Sequence, residues 1–185
     1  MKITQRALLV SLLALSLAAS AASLLKTDVA HTSVSAVFKQ MSVPVESKFK
    51  KFTVAIDYDA KAPGTATAKV EIDTASLDLG EAEMNQEVAK KEWFNSAQFP
   101  KATFISSAIK PAGAGKLSVS GKLTIKGKTV DVTFPLLVKQ EAGKQVFEGA
   151  LPIKRLTFNI GEGEWKDTSM VADEVIIKFR VTAAP

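Results

Sequence analysis

The sequence predicts an all-β fold: an eight-stranded antiparallel up-and-down barrel with one helix inserted mid-chain. Three observations carry this. Apolar and polar residues alternate in several separate stretches, the links between stretches are short and hold Gly or Pro, and a single segment has helical spacing. Strict alternation puts one face in a core and the other in water. Half-buried strands of this kind belong to antiparallel sheets. Closing the sheet removes exposed edges; a two-sheet sandwich is the alternative. With 185 residues, 46% apolar and 23% charged, the chain has the size and composition of one globular domain.

The strands follow in order. His31 to Lys39 carries Val34, Ala36 and Phe38 on one face. Phe52, Val54, Ile56 and Tyr58 alternate with Thr53, Ala55 and Asp57, and Ala68, Val70 and Ile72 with Lys69, Glu71 and Asp73. Lys101 to Ile109 reads as extended, but Phe104 and Ile105 both call for burial while pointing opposite ways. Leu117, Val119, Leu123 and Ile125 share a face with Gly121. Val130, Val132, Phe134, Leu136 and Val138 form five alternations around Pro135, whose missing N–H predicts a bulge or an edge-like break in pairing. Val146 to Ile153 carries Phe147, Gly149, Leu151 and Ile153, and Val175, Ile177, Phe179 and Val181 close the set. Lys126-Gly127 and Ala142-Gly143 are tight hairpin links.

The helix falls around Glu81 to Lys91. Glu81 and Glu83 suit its positive N-terminus, and Lys90 and Lys91 its negative C-terminus. Met84 and Val88, four apart, share a side. Trp93, Phe94 and Phe99 dock the segment that follows.

Much chemistry is excluded by residue counts. There is no cysteine and one histidine, His31, so disulfides, thiolate nucleophiles, Cys-based zinc sites and Cys–His dyads fall away, and at most one imidazole is left for acid–base work. His31 reads as a structural hydrogen-bonding residue. Helix acids Glu81, Glu83 and Glu87 do not converge on a point, and loop acids Glu162, Glu164, Asp167, Asp173 and Glu174 lack calcium-loop spacing. We expect no catalytic residue, no metal and no enzyme. Exposed lysines such as Lys122, Lys126, Lys128 and Lys139 read as solvent faces, and Trp165 as a cover over one barrel end.

The N-terminus has a basic start at Lys2 and Arg6, an apolar run from Ala7 to Ala19, and small residues ending in Ala19-Ser20-Ala21. This is the layout of a secretory signal peptide cut after Ala21, leaving residues 22–185 as one domain. The run is short for a bilayer span, which takes about 20 residues. Losing Lys2 and Arg6 lowers the formal charge from +5 to +3. Export argues against a nucleic-acid partner.

Several stretches together resemble the YceI family of exported, lipocalin-like proteins. They are Ile72-Asp73-Thr74-Ala75-Ser76-Leu77-Asp78, the acidic helix, Trp93-Phe94-Asn95, and Phe99-Pro100-Lys101-Ala102-Thr103-Phe104. His31-Thr32-Ser33-Val34, Gly121 to Gly127, Lys39 to Glu46 and Gly161 to Trp165 extend the resemblance across residues 29–182. It implies an eight-stranded barrel whose elongated apolar interior holds an isoprenoid lipid or a quinone. It also implies export, often to a periplasm, and association of some members with membrane cytochromes of the b561 type. Many members carry an R-D-x-H-L-like step in the helix; here Met84-Asn85-Gln86-Glu87-Val88 stands in its place, so head-group recognition differs.

An eight-stranded barrel is either filled by side chains or holds one small ligand. The inward faces predict a ligand-binding lining of Val34, Phe38, Phe52, Val54, Ile56, Val70, Ile72, Val119, Leu123, Val132, Phe134, Leu136, Phe147, Ile177 and Phe179. The expected role is a periplasmic protein that sequesters or carries an isoprenoid lipid or quinone. The alternative is a filled-barrel accessory or stress-related protein associated with a membrane cytochrome. Oligomeric state is not legible.

Overall fold

A computed structural model describes residues 24–184; the expected signal segment lies outside them. The strands are β1 (Leu24–Thr27), β2 (Ser33–Gln40), β3 (Val43–Phe49), β4 (Phe52–Asp57), β5 (Thr67–Asp73), β6 (Leu77–Asp78), β7 (Lys101–Pro111), β8 (Lys116–Ile125), β9 (Lys128–Glu141), β10 (Lys144–Lys154) and β11 (Val171–Ala184), with helix α1 at Ala82–Ala89. Every pairing is antiparallel. The ring β1-β4-β5-β7-β8-β9-β10-β11 returns on itself, since β1 pairs with both β4 and β11, and β2 and β3 continue the sheet from β11. These eight ring strands make the expected closed eight-stranded barrel. The short β1 bridges β4 and β11 at one end, and β6 pairs with β3 at the other.

Three strands escaped the pattern reading. β1 and β6 are too short to show a period, and β3 (VPVESKF) mixes Pro, Glu, Ser and Lys along its length. β3 forms because β2 offers it an unpaired edge from Ser35 to Gln40. The helix is also shorter than expected. Lys90 is its C-cap with extended ψ, so Lys90 and Lys91 lie past the last turn, and Lys90 pairs instead with Glu87.

The Phe104–Ile105 conflict is resolved by a bulge. The β7–β8 register shifts between Ser106 and Ala108, so Phe104 and Ile109 both face inward despite opposite parity, and Ile105 is left exposed. Pro135 marks a true break: β10 pairs with β9 only from Leu136 onward, while β8 pairs with β9 on both sides of Pro135. Both residues of the Lys126-Gly127 and Ala142-Gly143 links have positive φ, as two-residue hairpins matching the strand twist require.

The interior is unevenly filled. At the β1 end, Leu25, Ile56, Phe147, Val181 and Ala183 form a dense cluster with Tyr58. The Tyr58 and Phe147 rings meet edge to face at 5.2 Å. Further along, Phe104, Phe134 and Phe179 cross the lumen with centroids 5.5 Å apart in each successive pair. Two glycines seat this row. A Cβ at Gly121 would lie 2.6 Å from the Phe104 ring and 2.5 Å from the Ile105 carbonyl, and one at Gly149 would lie 2.3 Å from the Phe179 ring.

The outer wall carries cross-strand ion pairs, including Lys122–Asp131, Lys139–Glu148 and Lys101–Glu71. Their stabilisation is small at exposed sites. Lys144 and His31 beside Asp28, Lys101 and Lys69 beside Glu71, and Lys50 and Asn85 beside Asp78 hold each carboxyl at about 2.

We expect Gly121→Ala to destabilise the fold by about 1–3 kcal/mol through overpacking, read as a lower urea midpoint. Gly64→Ala, in open space, should move it by less than about 0.5 kcal/mol. The depressed carboxylates stabilise the fold fully above their ordinary values and lose that effect as protons bind the folded state. The thermal midpoint should therefore fall as pH drops from 4.5 toward 2; a flat profile across that window would contradict this.

Candidate functional site

Above the phenylalanine row the barrel is hollow. A cavity of about 260 Å³ opens there, against the ~10–15 Å³ that one water needs. Its walls are apolar: Val34, Ala36 and Phe38 from β2, Val175, Ile177 and Phe179 from β11, Val70 and Ile72 from β5, and Leu123 and Ile125 from β8. The helix contributes Met84, Glu87 and Val88, and Gln40 stands at the end of β2. Met84 is the methionine of the lining. Met41 and Met170, next in sequence to the lining residues Gln40 and Val171, are exposed and joined by a backbone hydrogen bond. Unbranched thioether chains suit an apolar surface that must adapt.

The helix is held at the mouth by the Asp73–Asp78 step. Thr74 is buried; its hydroxyl lies 2.9 Å from Ser96 Oγ and 2.9 Å from the Phe99 carbonyl. Ser76 Oγ accepts from Lys51 N–H and reaches the Asp73 carbonyl, tying the turn to the β3–β4 junction. Asp78 accepts from Gly80 N–H and from the Asn85 amide, while Asn85 Oδ1 accepts from Leu79 N–H. Short hydroxyl and carboxylate side chains at these positions satisfy a buried turn that cannot join a ladder. After the helix, Phe94 packs edge to face on Phe49 at 6.2 Å, and Phe99 covers Gly127.

The loop between β10 and β11 forms a lid, with 3-10 turns at Arg155–Phe158 and Gly163–Lys166. Arg155 organises it and is only 2% exposed. Its guanidinium donates to the carbonyls of Ala172, Ile160, Gly161, Trp165 and Val171, at 2.7 to 3.4 Å. Burial lowers its pKa while the nearby Asp173 charge opposes this; the group stays cationic. Gly161 is required here: its φ is +81° and a Cβ would lie 1.9 Å from Arg155 Nη1. Lys126, expected on a solvent face, is instead buried. Its ammonium donates to the Lys91 and Asn159 carbonyls and to Glu162, binding the lid to the post-helix segment and lowering the Glu162 pKa. Trp165 packs on Trp93 at 5.2 Å and lines the cavity, covering this end as expected.

Nine predicted lining residues are brought together around the cavity: Val34, Phe38, Val54, Val70, Ile72, Leu123, Phe134, Ile177 and Phe179. Six lie elsewhere, which corrects the expected lining. Ile56 and Phe147 belong to the cluster at the filled end. Val119 and Leu136 pair with Phe134 and Leu117, at or past the phenylalanine row, and are absorbed into the core. Val132 pairs with Gly121, which the Phe104 ring covers. Phe52 packs with the cluster of Val34, Ala36, Phe49 and Leu77. Alternation marks the inward face but says nothing of height along the barrel. The lining also includes Met84, Val88, Trp93, Phe94, Phe104, Leu151, Ile153, Arg155 and Trp165; the helical spacing and the Trp-Phe pair were the available signals for four of them.

His31 is distant from the cavity lining and lies 2.9 Å from Asp28 Oδ2. The loop acids are engaged locally: Asp173 accepts from Leu156 N–H, and Asp167 from Ser169 N–H. Among the described residues no three His, Asp or Glu side chains come together as a metal site.

A closed antiparallel barrel, filled at one end and hollow at the other beneath a lid, is the architecture of a small-molecule binding protein. The family model for the YceI-like domain matches residues 25–183, and the chain belongs to that family. A UPF0312 protein of Shewanella putrefaciens is 34% identical over 134 residues, covering 72% of this chain and 68% of the relative. Among solved structures, BcnA of Burkholderia cenocepacia is 53% identical, covers 86% of this chain and 100% of its own, and superposes with a TM-score of 0.84. A polyisoprenoid binding domain from Saccharophagus degradans, implicated in plant cell wall breakdown, shares the fold at 17% identity and a TM-score of 0.66, over 88% of this chain and 98% of that one.

Arg155→Met should strip partners from five carbonyls, three in the lid and two at the start of β11, and cost about 3 kcal/mol or more of stability. Gly161→Ala should cost a similar amount through the same lid. Urea unfolding followed by tryptophan fluorescence reads both, and near wild-type midpoints would show that the lid does not depend on the clamp.

Proposed function

We propose that this protein binds an isoprenoid lipid or quinone with its apolar tail in the cavity, sequestering or carrying it in the periplasm. The observation that carries this is the apolar cavity above the phenylalanine row, walled on the helix side by Met84 and Val88. Val34, Phe38, Val54, Val70, Ile72, Leu123, Phe134, Ile177 and Phe179 are the tail contacts in this reading. Burial contributes roughly 0.8 kcal/mol per methylene, so one five-carbon isoprene unit adds about 4 kcal/mol before the cost of association. A few units give useful affinity. The shared fold with a polyisoprenoid binding domain supports the ligand class, and the basic, apolar and small-residue layout of residues 1–21 supports export. A quinone cargo suits exchange with a membrane cytochrome of the b561 type. A wholly filled barrel, as the accessory-protein alternative expects, does not fit the cavity.

Organic extracts of protein purified from its native compartment should contain a prenyl lipid by mass spectrometry. Ile177→Trp, which fills the cavity without adding charge, should lower prenyl-ligand affinity at least tenfold (about 1.4 kcal/mol) in a folded variant. Extracts free of prenyl lipid, together with no uptake of added quinone, would sink the reading.

A further inference from the structure

Beneath the lid the cavity wall carries two polar groups that an apolar tail does not use. Trp93 lines the cavity and is 9% exposed, yet its indole Nε1–H is buried with no hydrogen-bond partner among the described residues. Buried polar atoms are nearly always paired, and an indole nitrogen can only donate. Its natural complement is an acceptor oxygen. Beside it, the Arg155 guanidinium stands 5.7 Å from the centre of the Trp93 ring and lines the same cavity. Its hydrogen bonds all go to neutral carbonyls. These satisfy its N–H groups without cancelling its charge, and no carboxylate among the described residues pairs with it. In a poorly solvated wall that charge favours an electron-rich neighbour. From the opposite side the helix offers Met84, Glu87 and Val88, with the Glu87 carboxylate paired to Lys90. Arg155 is the one basic side chain among the described residues of the lining, and Asp173 acts on its charge from nearby.

We propose that Trp93 and Arg155 form a head-group seat for a ligand oxygen, a phosphate oxygen or a quinone carbonyl, that accepts a hydrogen bond from the Trp93 indole N–H. The seat rests on the lipid reading above and deepens it. Trp93 supplies the donor; Arg155, its own N–H groups engaged, supplies charge. Trp165 packs on Trp93 and holds the ring in place. The tail then runs away from the lid along the apolar wall toward the phenylalanine row. An oxygen-rich head is selected over a bare hydrocarbon end.

The test uses three ligands with one geranylgeranyl tail: the hydrocarbon, the monophosphate, and a naphthoquinone. Each is titrated into the purified, delipidated protein. The phosphate or the naphthoquinone should bind at least tenfold more tightly than the hydrocarbon, and which of them does so tells an anionic head from a carbonyl one. Trp93→Phe should reduce that preference below threefold, measured as the ratio of headed-ligand to hydrocarbon affinity within the variant itself. In the unmutated protein, the Trp93 indole ¹⁵N–¹H resonance should move on binding a preferred headed ligand and stay put with the hydrocarbon; this measurement does not depend on the variant folding. Equal affinity for all three ligands, a head preference that survives in Trp93→Phe, or an unmoved indole resonance overturns the seat while tail binding stands. Failure of all three ligands to bind overturns the tail reading and the seat with it.

Discussion

The row of Phe104, Phe134 and Phe179 divides the lumen, and the rest of the molecule is arranged around that division. Three rings in successive contact at 5.5 Å gain from aromatic geometry as well as from burial. Phe104 and Phe179 can take their places in it because Gly121 and Gly149 present no side chain against them. On one side of the row, Leu25, Ile56, Phe147, Val181 and Ala183 fill the barrel and give it a core. On the other, the same inward alternation surrounds space. A small barrel with no disulfide must find its stability in burial, and the filled end supplies it. The hollow end is thereby left free to bind.

The hollow end is shaped by polar interactions. Arg155 gathers carbonyls from both sides of the lid, from Ile160 to Ala172, so one side chain turns a long irregular connection into a cover. Such a connection carries backbone groups that no ladder satisfies, and a buried cation with a fan of donors is an effective way to satisfy them. On the facing side, Thr74, Ser76 and Asp78 do the same for the turn that leads into the helix. Lys126 joins the two sides through Lys91, Asn159 and Glu162. The cavity thus lies between elements fixed by hydrogen bonds, with the adaptable Met84 in its wall.

Much of this was legible before any coordinates. Eight of the eleven strands, their links, the single helix and the break at Pro135 follow from period, turn chemistry and the missing proline N–H. The likeness to the YceI family rested on local steps such as Asp73 to Asp78, which are local because each motif residue satisfies a nearby backbone group. Nine of the proposed lining residues stand around the cavity, because an inward parity is a necessary condition for facing it. Ile56 and Phe147 show that it is not sufficient: they share parity with Val54 and Phe179 but sit at the filled end.

The sequence by itself determined which face of each strand turns inward, where the chain turns back, and that cysteine chemistry has no part in this protein. These are local consequences of side-chain alternation and backbone sterics. Tertiary structure alone decided where along the lumen the space would fall. That depends on register between strands far apart in sequence, on a bulge at Ser106–Ala108 that flips parity, and on which rings find glycines opposite them. It also decided that Lys126 and Arg155, two side chains expected by type to face water, would be buried. Only the assembled barrel brings together the carbonyls that can hold their charges out of solvent.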